Sequence, residues 1–257
     1  MIPGVAHRAP VPDNYNLIKM FIPFKSLLPF KFKRTIKEHL GVPSFHWSLQ
    51  NLKKKNFCPG VIIDIGAYEG LWSLDVLEVF PQAKILMIEA QESKAPFLKA
   101  IKNQHGNVSY AISLLSSQDG VMKSFADHET ASFIVKHEAP NVVYKKIKTQ
   151  SLDTLLAGMK FPFPDFLKLD VQGHELEILK GAEKSLAHST VCLLEVSLLN
   201  LGNDDPLLSD VVSFMDNKGF QAYDISQLIR RPFDNALFQA DIFFVKKDSL
   251  LIADKNW

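Results

Sequence analysis

Cysteine is nearly missing from this chain: Cys58 and Cys192 are the two in 257 residues. Two cysteines so far apart supply neither a disulfide framework nor the paired spacing of a zinc site. No apolar run approaches the ~18 residues that a spanning helix needs. The opening "MIPGVAHRAPVPDNYN" lacks the basic-then-apolar pattern of a secretory signal. These absences together predict a reducing, cytoplasmic setting. Internal repeats and low-complexity tracts are also absent. An excess of one charge is missing too, since the formal net charge is +1.

That small net charge hides an asymmetry. Residues 1–60 carry ten Lys and Arg against Asp13 and Glu38, a balance of +8, which leaves −7 for the remainder. The basic character therefore belongs to the N-terminal part. The first fifteen residues are proline-rich. "LIKMFIPFKSLLPFKFKRTIKEHL" (17–40) mixes Phe, Leu, Ile and Lys around Pro23 and Pro29. A short helix is expected over Lys31–Leu40. The segment reads either as a strap packed across the domain or as a peripheral membrane contact through residues 17–40. Nucleic acid is not expected as a partner, because the rest of the chain is acidic and has no interleaved basic and aromatic surface. We divide the chain into a basic, apolar extension over 1–44 and one domain over 45–257.

From Val61 the pattern alternates between strand and helix. "VIIDI" is a continuous apolar run, as expected of a strand buried on both faces. "GLWSLDVLEVF" carries a helical apolar face and stops before Pro81. "KILMIEA", "HGNVSYAIS", "DFLKLDV" and "TVCLLEVS" read as further strands, and "ESKAPFLKAIKN", "HELEILKGAEKSL" and "PLLSDVVSFMDNKG" as helices. "VMKSFAD" and "VVYKKIKTQ" form a strand pair in an insertion, before a short helix at "SLDTLLAGM". The last two strands, "FQAYDIS" and "ADIFFVKK", are joined by Gln227–Ala240, which holds no helix. Without a crossover helix they are expected to be antiparallel neighbours. The whole predicts an open α/β sheet with helices on both faces.

In such sheets ligands bind beyond the carboxyl ends of the strands. "DIGAYEG" lies at one such end. Gly66 lets the backbone turn, Gly70 opens the next helix, and Asp64 sits beside them. A carboxylate there repels phosphate and suits a cationic or hydroxyl-bearing ligand. Glu89 closes the second strand, where an acid accepts hydrogen bonds from ribose hydroxyls. The dinucleotide fingerprint G-x-G-x-x-G is not met, because the glycine that makes room for a pyrophosphate is missing. Acid, glycine turn and ribose acid without a phosphate cradle point to a nucleoside without phosphates, and S-adenosylmethionine fits.

A second strand-end acid, Asp170 in "FLKLDVQGHELEILKG", is followed by Gly173, His174 and Glu175. Asp170 could orient an acceptor hydroxyl while His174 takes its proton. Glu175 reads as an acid favoured at a helix N-terminus, and Lys168 as structural. A metal-assisted version would use Asp170 with Glu195 and His174; it is disfavoured because no carboxylate–amide pair follows Glu195, so no metal is expected.

At these residues the chain resembles the FkbM-type methyltransferases, S-adenosylmethionine-dependent enzymes of the class I fold. The pieces that carry the resemblance run from "LQNLKKKNFCPGVIIDIGAYEGLWS" through "ILMIEAQ", "SYAIS", "ASFIV" and "KTQSLDTLL" to "FLKLDVQGHELEILKGAEKSL", "CLLEVS" and "DIFFVKK". The resemblance implies a Rossmann-like sheet of seven mostly parallel strands in the order 3-2-1-4-5-7-6, the last strand antiparallel. It also implies that Asp64, Gly66, Ala67 and Gly70 line the cofactor's amino-acid end and that Glu89 binds its ribose. Ala90 and Gln91 would flank the adenosine, Ala111 and Ile112 would pack on the adenine, and Asp170 would face the methyl-transfer centre. The family usually has Asn where this chain has Tyr68. The implied reaction is O-methylation of a hydroxyl on a sugar, glycan or natural-product-like small molecule. The alternative is a catalytically weak or inactive binding protein on the same fold. A nicotinamide-dependent reductase is disfavoured by the missing glycine. The acceptor pocket is expected from the insertion Ser116–Gln150 and the loop Ile225–Ala240, with Arg230 and Arg231.

Overall fold

The computed structural model describes residues 40–126, 133–135, 144–201 and 204–254. The expected helix over Lys31–Leu40 and the segment 17–40 lie outside the described residues except for Leu40. Pro43–Trp257 forms one compact unit.

The main sheet has seven strands: β1 (Val61–Ile65), β2 (Lys84–Glu89), β3 (Val108–Ile112), β8 (Phe166–Leu169), β9 (Val191–Ser197), β10 (Phe220–Arg230) and β11 (Leu237–Lys246). Four short strands, β4 (Leu114–Leu115), β5 (Met122–Ala126), β6 (Phe133–Ile134) and β7 (Lys145–Gln150), form a second sheet. The main sheet runs β3-β2-β1-β8-β9-β11-β10. Counting only its own strands along the chain, that is the expected order 3-2-1-4-5-7-6. β1, β2, β3, β8 and β9 pair in parallel, and β11 is antiparallel to both of its neighbours.

Strand periodicity divides the core. Ile63, Ile65, Leu86, Ile88, Leu167, Leu169, Leu194 and Val196 belong to one buried cluster. Their neighbours Ile62, Ile85, Met87, Phe166 and Leu193 belong to a second. Side chains that alternate between two buried faces require helices on both. The second cluster is closed by α1 (Phe45–Lys54), α2 (Leu71–Val79) and α3 (Ala95–Gln104). The first is closed by α4 (Leu152–Met159), α5 (Glu175–Lys180), α6 (Glu183–His188) and α7 (Leu208–Asn217). Cys192 lies fully buried in that first cluster.

Two elements depart from the sequence reading. "HELEILKGAEKSL" is not one helix but α5 followed by α6. The break is stabilised from outside: Asp153, on α4, accepts the Lys184 and Ser185 amides at 2.8 and 3.0 Å, so α6 has its own N-terminal partner. The connection Gln227–Ala240 is also mostly strand. β10 continues to Arg230 and β11 begins at Leu237, which leaves a tight turn between them. Gln239 pairs with Ser197, the last residue of β9, so the tip of this hairpin projects past the carboxyl edge of the sheet.

Candidate functional site

A cleft of about 310 Å³ opens at the carboxyl ends of β1, β2, β8 and β9, with the second sheet on its other side. Its wall includes Gly66, Tyr68, Glu89, Ala90, Gln91, Ser113, Phe125, Ile134, Asp170, Gln172, His174 and Glu195. The size is at the lower end for small-molecule sites.

Glu89 ends β2 and is held by backbone alone. Its Oε2 accepts the Tyr68 amide at 2.8 Å, and its Oε1 accepts the amides of Ala90 and Gln91 at 2.8 and 2.9 Å. This fixes the carboxylate across the gap between the β1 and β2 turns. The first turn closes because Gly66 and Ala67 both donate to the Ile88 carbonyl. Gly66 has φ +73°, and a Cβ there would lie 1.9 Å from the Asp170 carbonyl oxygen. Its lack of a side chain is thus required by the approach of the β8 turn.

The sequence-predicted residues separate into two groups. Gly66, Glu89, Ala90, Gln91, Asp170 and His174 line the cleft. Asp64, Ala67 and Gly70 lie behind its wall. Asp64 is fully buried; its Oδ2 accepts from Ser73 Oγ at 2.8 Å, and its Oδ1 is 3.1 Å from Lys168 Nζ. Ala67 packs in the second core cluster. Gly70 begins α2 at φ +80°, where a Cβ would meet Ile101 and Met87. Ala111 packs against the first core cluster and Ile112 is part-exposed. The cleft wall at this point begins one residue later, at Ser113, and continues through Leu114 and Leu115. β3 ends at Ile112, so the residues that turn inward are those leaving the sheet.

Lys168 is structural, as expected, and it joins the two turns. It is buried within β8, with Nζ 3.1 Å from Asp64 Oδ1, 3.5 Å from Asp170 Oδ2 and 3.1 Å from the Gly66 carbonyl. Burial alone would lower its pKa, but Asp64 and Asp170 outweigh burial and hold the ammonium above the usual lysine range. One cation thus ties both strand-end acids and the glycine turn together. The signal was a lone charge inside an apolar strand.

Glu175 is not a plain helix-end acid. It is buried and folds back, so that its Oε1 accepts the amides of Val171 and Gly173 at 3.0 and 3.3 Å. Burial pushes its carboxyl up to about 7 despite those bonds. Asp170 is held by Lys168 and by Gln172 Nε2, which is 3.5 Å from its Oδ1. The same amide donates to Glu195 Oε2 at 3.0 Å. Burial, then the carboxylates of Asp170, Glu175 and Asp241, push Glu195 up to about 9, so it keeps its proton at neutral pH. Burial and Asp170 raise Asp241, its partner across β11, to about 7. His174 Nε2 is 3.1 Å from Ser116 Oγ. Among the described residues no group of three or more His, Cys, Asp or Glu is placed to hold a metal ion.

Tyr68 stands at φ +50°, a left-handed conformation that Asn adopts more easily than an aromatic residue. Lys94 Nζ lies 3.9 Å from the centre of its ring and 3.1 Å from Glu69 Oε1. On the β10–β11 hairpin, Arg231 is committed to a two-pronged pair with Asp234, while Arg230 Nη1 donates to the Asn235 carbonyl. No lysine or arginine is among the residues lining the cleft. Its donor set of carboxylates, backbone amides and apolar walls fits a cationic nucleoside without phosphates and does not fit a dinucleotide.

No helix among the described residues is long and apolar enough to cross a membrane. A family model described as "Methyltransferase FkbM domain" matches residues 64–222, more than half of the 257 residues. A hexuronic acid methyltransferase, AglP of Haloferax volcanii, is 42% identical over 50 residues, 20% of this chain and 21% of that protein. The similarity therefore spans about a fifth of that relative's length. A methyltransferase FkbM from Methylobacillus flagellatus has a crystal structure 15% identical with a TM-score of 0.48, covering 71% of this chain and 43% of that one. The 1,6-didemethyltoxoflavin-N1-methyltransferase of Burkholderia thailandensis, solved with S-adenosylhomocysteine, is 14% identical with a TM-score of 0.45, covering 95% and 94%.

Proposed function

The chain belongs to the FkbM methyltransferase family, and from that premise we propose that it methylates a hydroxyl oxygen of a sugar, glycan or natural-product-like small molecule, with S-adenosylmethionine as donor. The observation that carries this reading is one cleft wall that holds Glu89, Asp170 and His174 together and contains no cationic side chain. The relative named for hexuronic acid supports the sugar class. Its short match leaves the acceptor as our proposal.

When bound, the cofactor supplies a methyl group made electrophilic by a sulfonium. The residues of this chain do the rest. Glu89, locked by three backbone amides, presents the acceptor site left on Oε2 to the ribose hydroxyls. Ala90 and Gln91 flank the nucleoside, and Leu114 and Leu115 supply apolar wall. Asp170, fixed by Lys168, faces the cationic end. His174 takes the proton of the acceptor hydroxyl, and Ser116 Oγ, 3.1 Å from its Nε2, holds the ring in place. Positioning of the acceptor oxygen supplies most of the acceleration, because the displacement requires in-line approach.

The test is transfer of labelled methyl groups to a panel of glycans. We expect His174→Ala to lose about 100-fold or more in turnover while S-adenosylhomocysteine affinity is kept. Full activity in that variant would overturn the base assignment.

A further inference from the structure

The floor and rim of the cleft differ in charge. The floor is acidic, with the carboxylates of Glu89 and Asp170. The rim on the far side is the second sheet, whose Phe125 and Ile134 reach the cleft. Register settles which other side chains share their face. Phe125 lies directly opposite Ile134 on β6 and Lys145 on β7, and Lys123 lies opposite Ile147. Residues directly opposite in an antiparallel pair point the same way, as do residues two apart on one strand. Lys145 and Lys123 are therefore on the cleft-facing side with Phe125, with Cβ of Lys145 about 5 Å from that of Phe125. Lys146 and Lys148 alternate to the opposite face, where Lys146 Nζ donates to Ser124 Oγ at 2.6 Å. Among the described residues neither Lys123 nor Lys145 has an acidic partner.

We propose that Lys123 and Lys145 form an anion-recognising rim, and that the acceptor is an acidic saccharide whose carboxylate sits on these two ammonium groups while a neutral hydroxyl points to the floor. The inference deepens the reaction proposed above and rests on it. The acidic floor repels a carboxylate, and the rim lysines attract it, so the charge pattern fixes which oxygen is methylated. The apolar faces of Phe125 and Ile134 lie between, where a pyranose ring packs against them. The atoms balance as in any O-methylation: the hydroxyl oxygen gains the methyl, its proton leaves to His174, and the bond electrons stay on the cofactor's sulfur.

The experiment uses the full chain with S-adenosylhomocysteine and two probes, an oligogalacturonate and a neutral oligogalactoside, followed by calorimetry. We expect the acidic probe to bind at least tenfold more tightly. Lys123→Ala with Lys145→Ala should weaken it by about tenfold, at roughly three- to fivefold per exposed charge contact, and leave S-adenosylhomocysteine affinity unchanged. Arginine at both positions should restore it, and Lys146→Ala with Lys148→Ala should leave it unaltered. Equal binding of the two probes, or an undiminished acidic preference in the double alanine variant, would overturn the proposal. So would a base-labile methyl ester on the carboxylate as the product. Failure of S-adenosylhomocysteine itself to bind would instead sink the methyltransferase reading, so the two failures are distinguishable.

Discussion

Asp64 and Asp170 each close an apolar strand, and each precedes a glycine within three residues. Yet Asp64 is fully buried, while the Asp170 side chain is 43% exposed in the cleft. The difference is one of register. Asp64 is still inside β1, level with Lys168 on the neighbouring strand. Asp170 has just left β8, and its amide bonds to the Ile65 carbonyl as the chain turns away. An acid one step inside the sheet holds the lysine, and an acid one step outside it lines the cleft. The same pattern thus makes a structural turn and a chemical one, and Lys168 joins them.

The largest test of that division is to remove the joint. Lys168→Met leaves Asp64 as a buried carboxylate without its counter-charge. It should lose about 3–5 kcal/mol of stability, the usual cost of breaking a buried pair from one side. Urea denaturation reads this directly, and Asp64→Asn added to it should recover part of the loss. A change under 1 kcal/mol would show that the two turns do not depend on Lys168.

The glycines offer a sharper contrast. At Gly66 a new Cβ would meet backbone, the Asp170 carbonyl at 1.9 Å, whereas at Gly173 it would meet the Asp205 side chain at 2.4 Å. Backbone cannot yield as a side chain can. Gly66→Ala should cost roughly 3 kcal/mol, among the larger single-site effects. Gly173→Ala should cost about 1–2 kcal/mol, the left-handed penalty for a residue with a Cβ. Thermal unfolding of the pair checks the order, and equal losses would remove the distinction.

The smallest effect concerns the second turn alone. Glu175 binds its proton more tightly folded, with a pKa of about 7, than unfolded, where it is near 4.5. The folded state then holds more protons than the unfolded one between these values. Its contribution is full below pH 4.5 and falls as pH rises to 7. Glu175→Gln should flatten the stability-against-pH curve in that window, by at most about 1.4 kcal/mol per pH unit. Denaturation at pH 5 and 7 checks it; an unchanged slope would mean that Glu175 does not titrate there.

Most of the sheet was legible because its strands are buried on both faces and read as apolar runs. The alternation gave the open α/β sheet, and its strand order came from the family resemblance. The antiparallel last strand followed from a connection with no helix, even though that connection is itself mostly strand. The split between α5 and α6 was not legible, because Asp153 comes from a helix about thirty residues earlier. Among the residues that line the cleft, Glu89 and Asp170 were legible as acids at strand ends and His174 as an imidazole at the start of the following helix. Lys168 reads as structural and is; that Asp64 faces it and not the cleft was not legible, since which group an acid meets depends on the register of the neighbouring strand. Ser113 rather than Ile112 meets the cleft for a similar reason: where a strand stops sets which residue turns in.

The central claim is that Glu89, fixed by three amides, is the nucleoside-binding acid of the cleft. Calorimetry with S-adenosylhomocysteine on the wild-type chain and on Glu89→Ala tests it most directly. We predict measurable binding to the wild type and a loss of about tenfold or more in the variant, the scale of a hydrogen bond to a charged group. Unchanged affinity in Glu89→Ala would contradict the account.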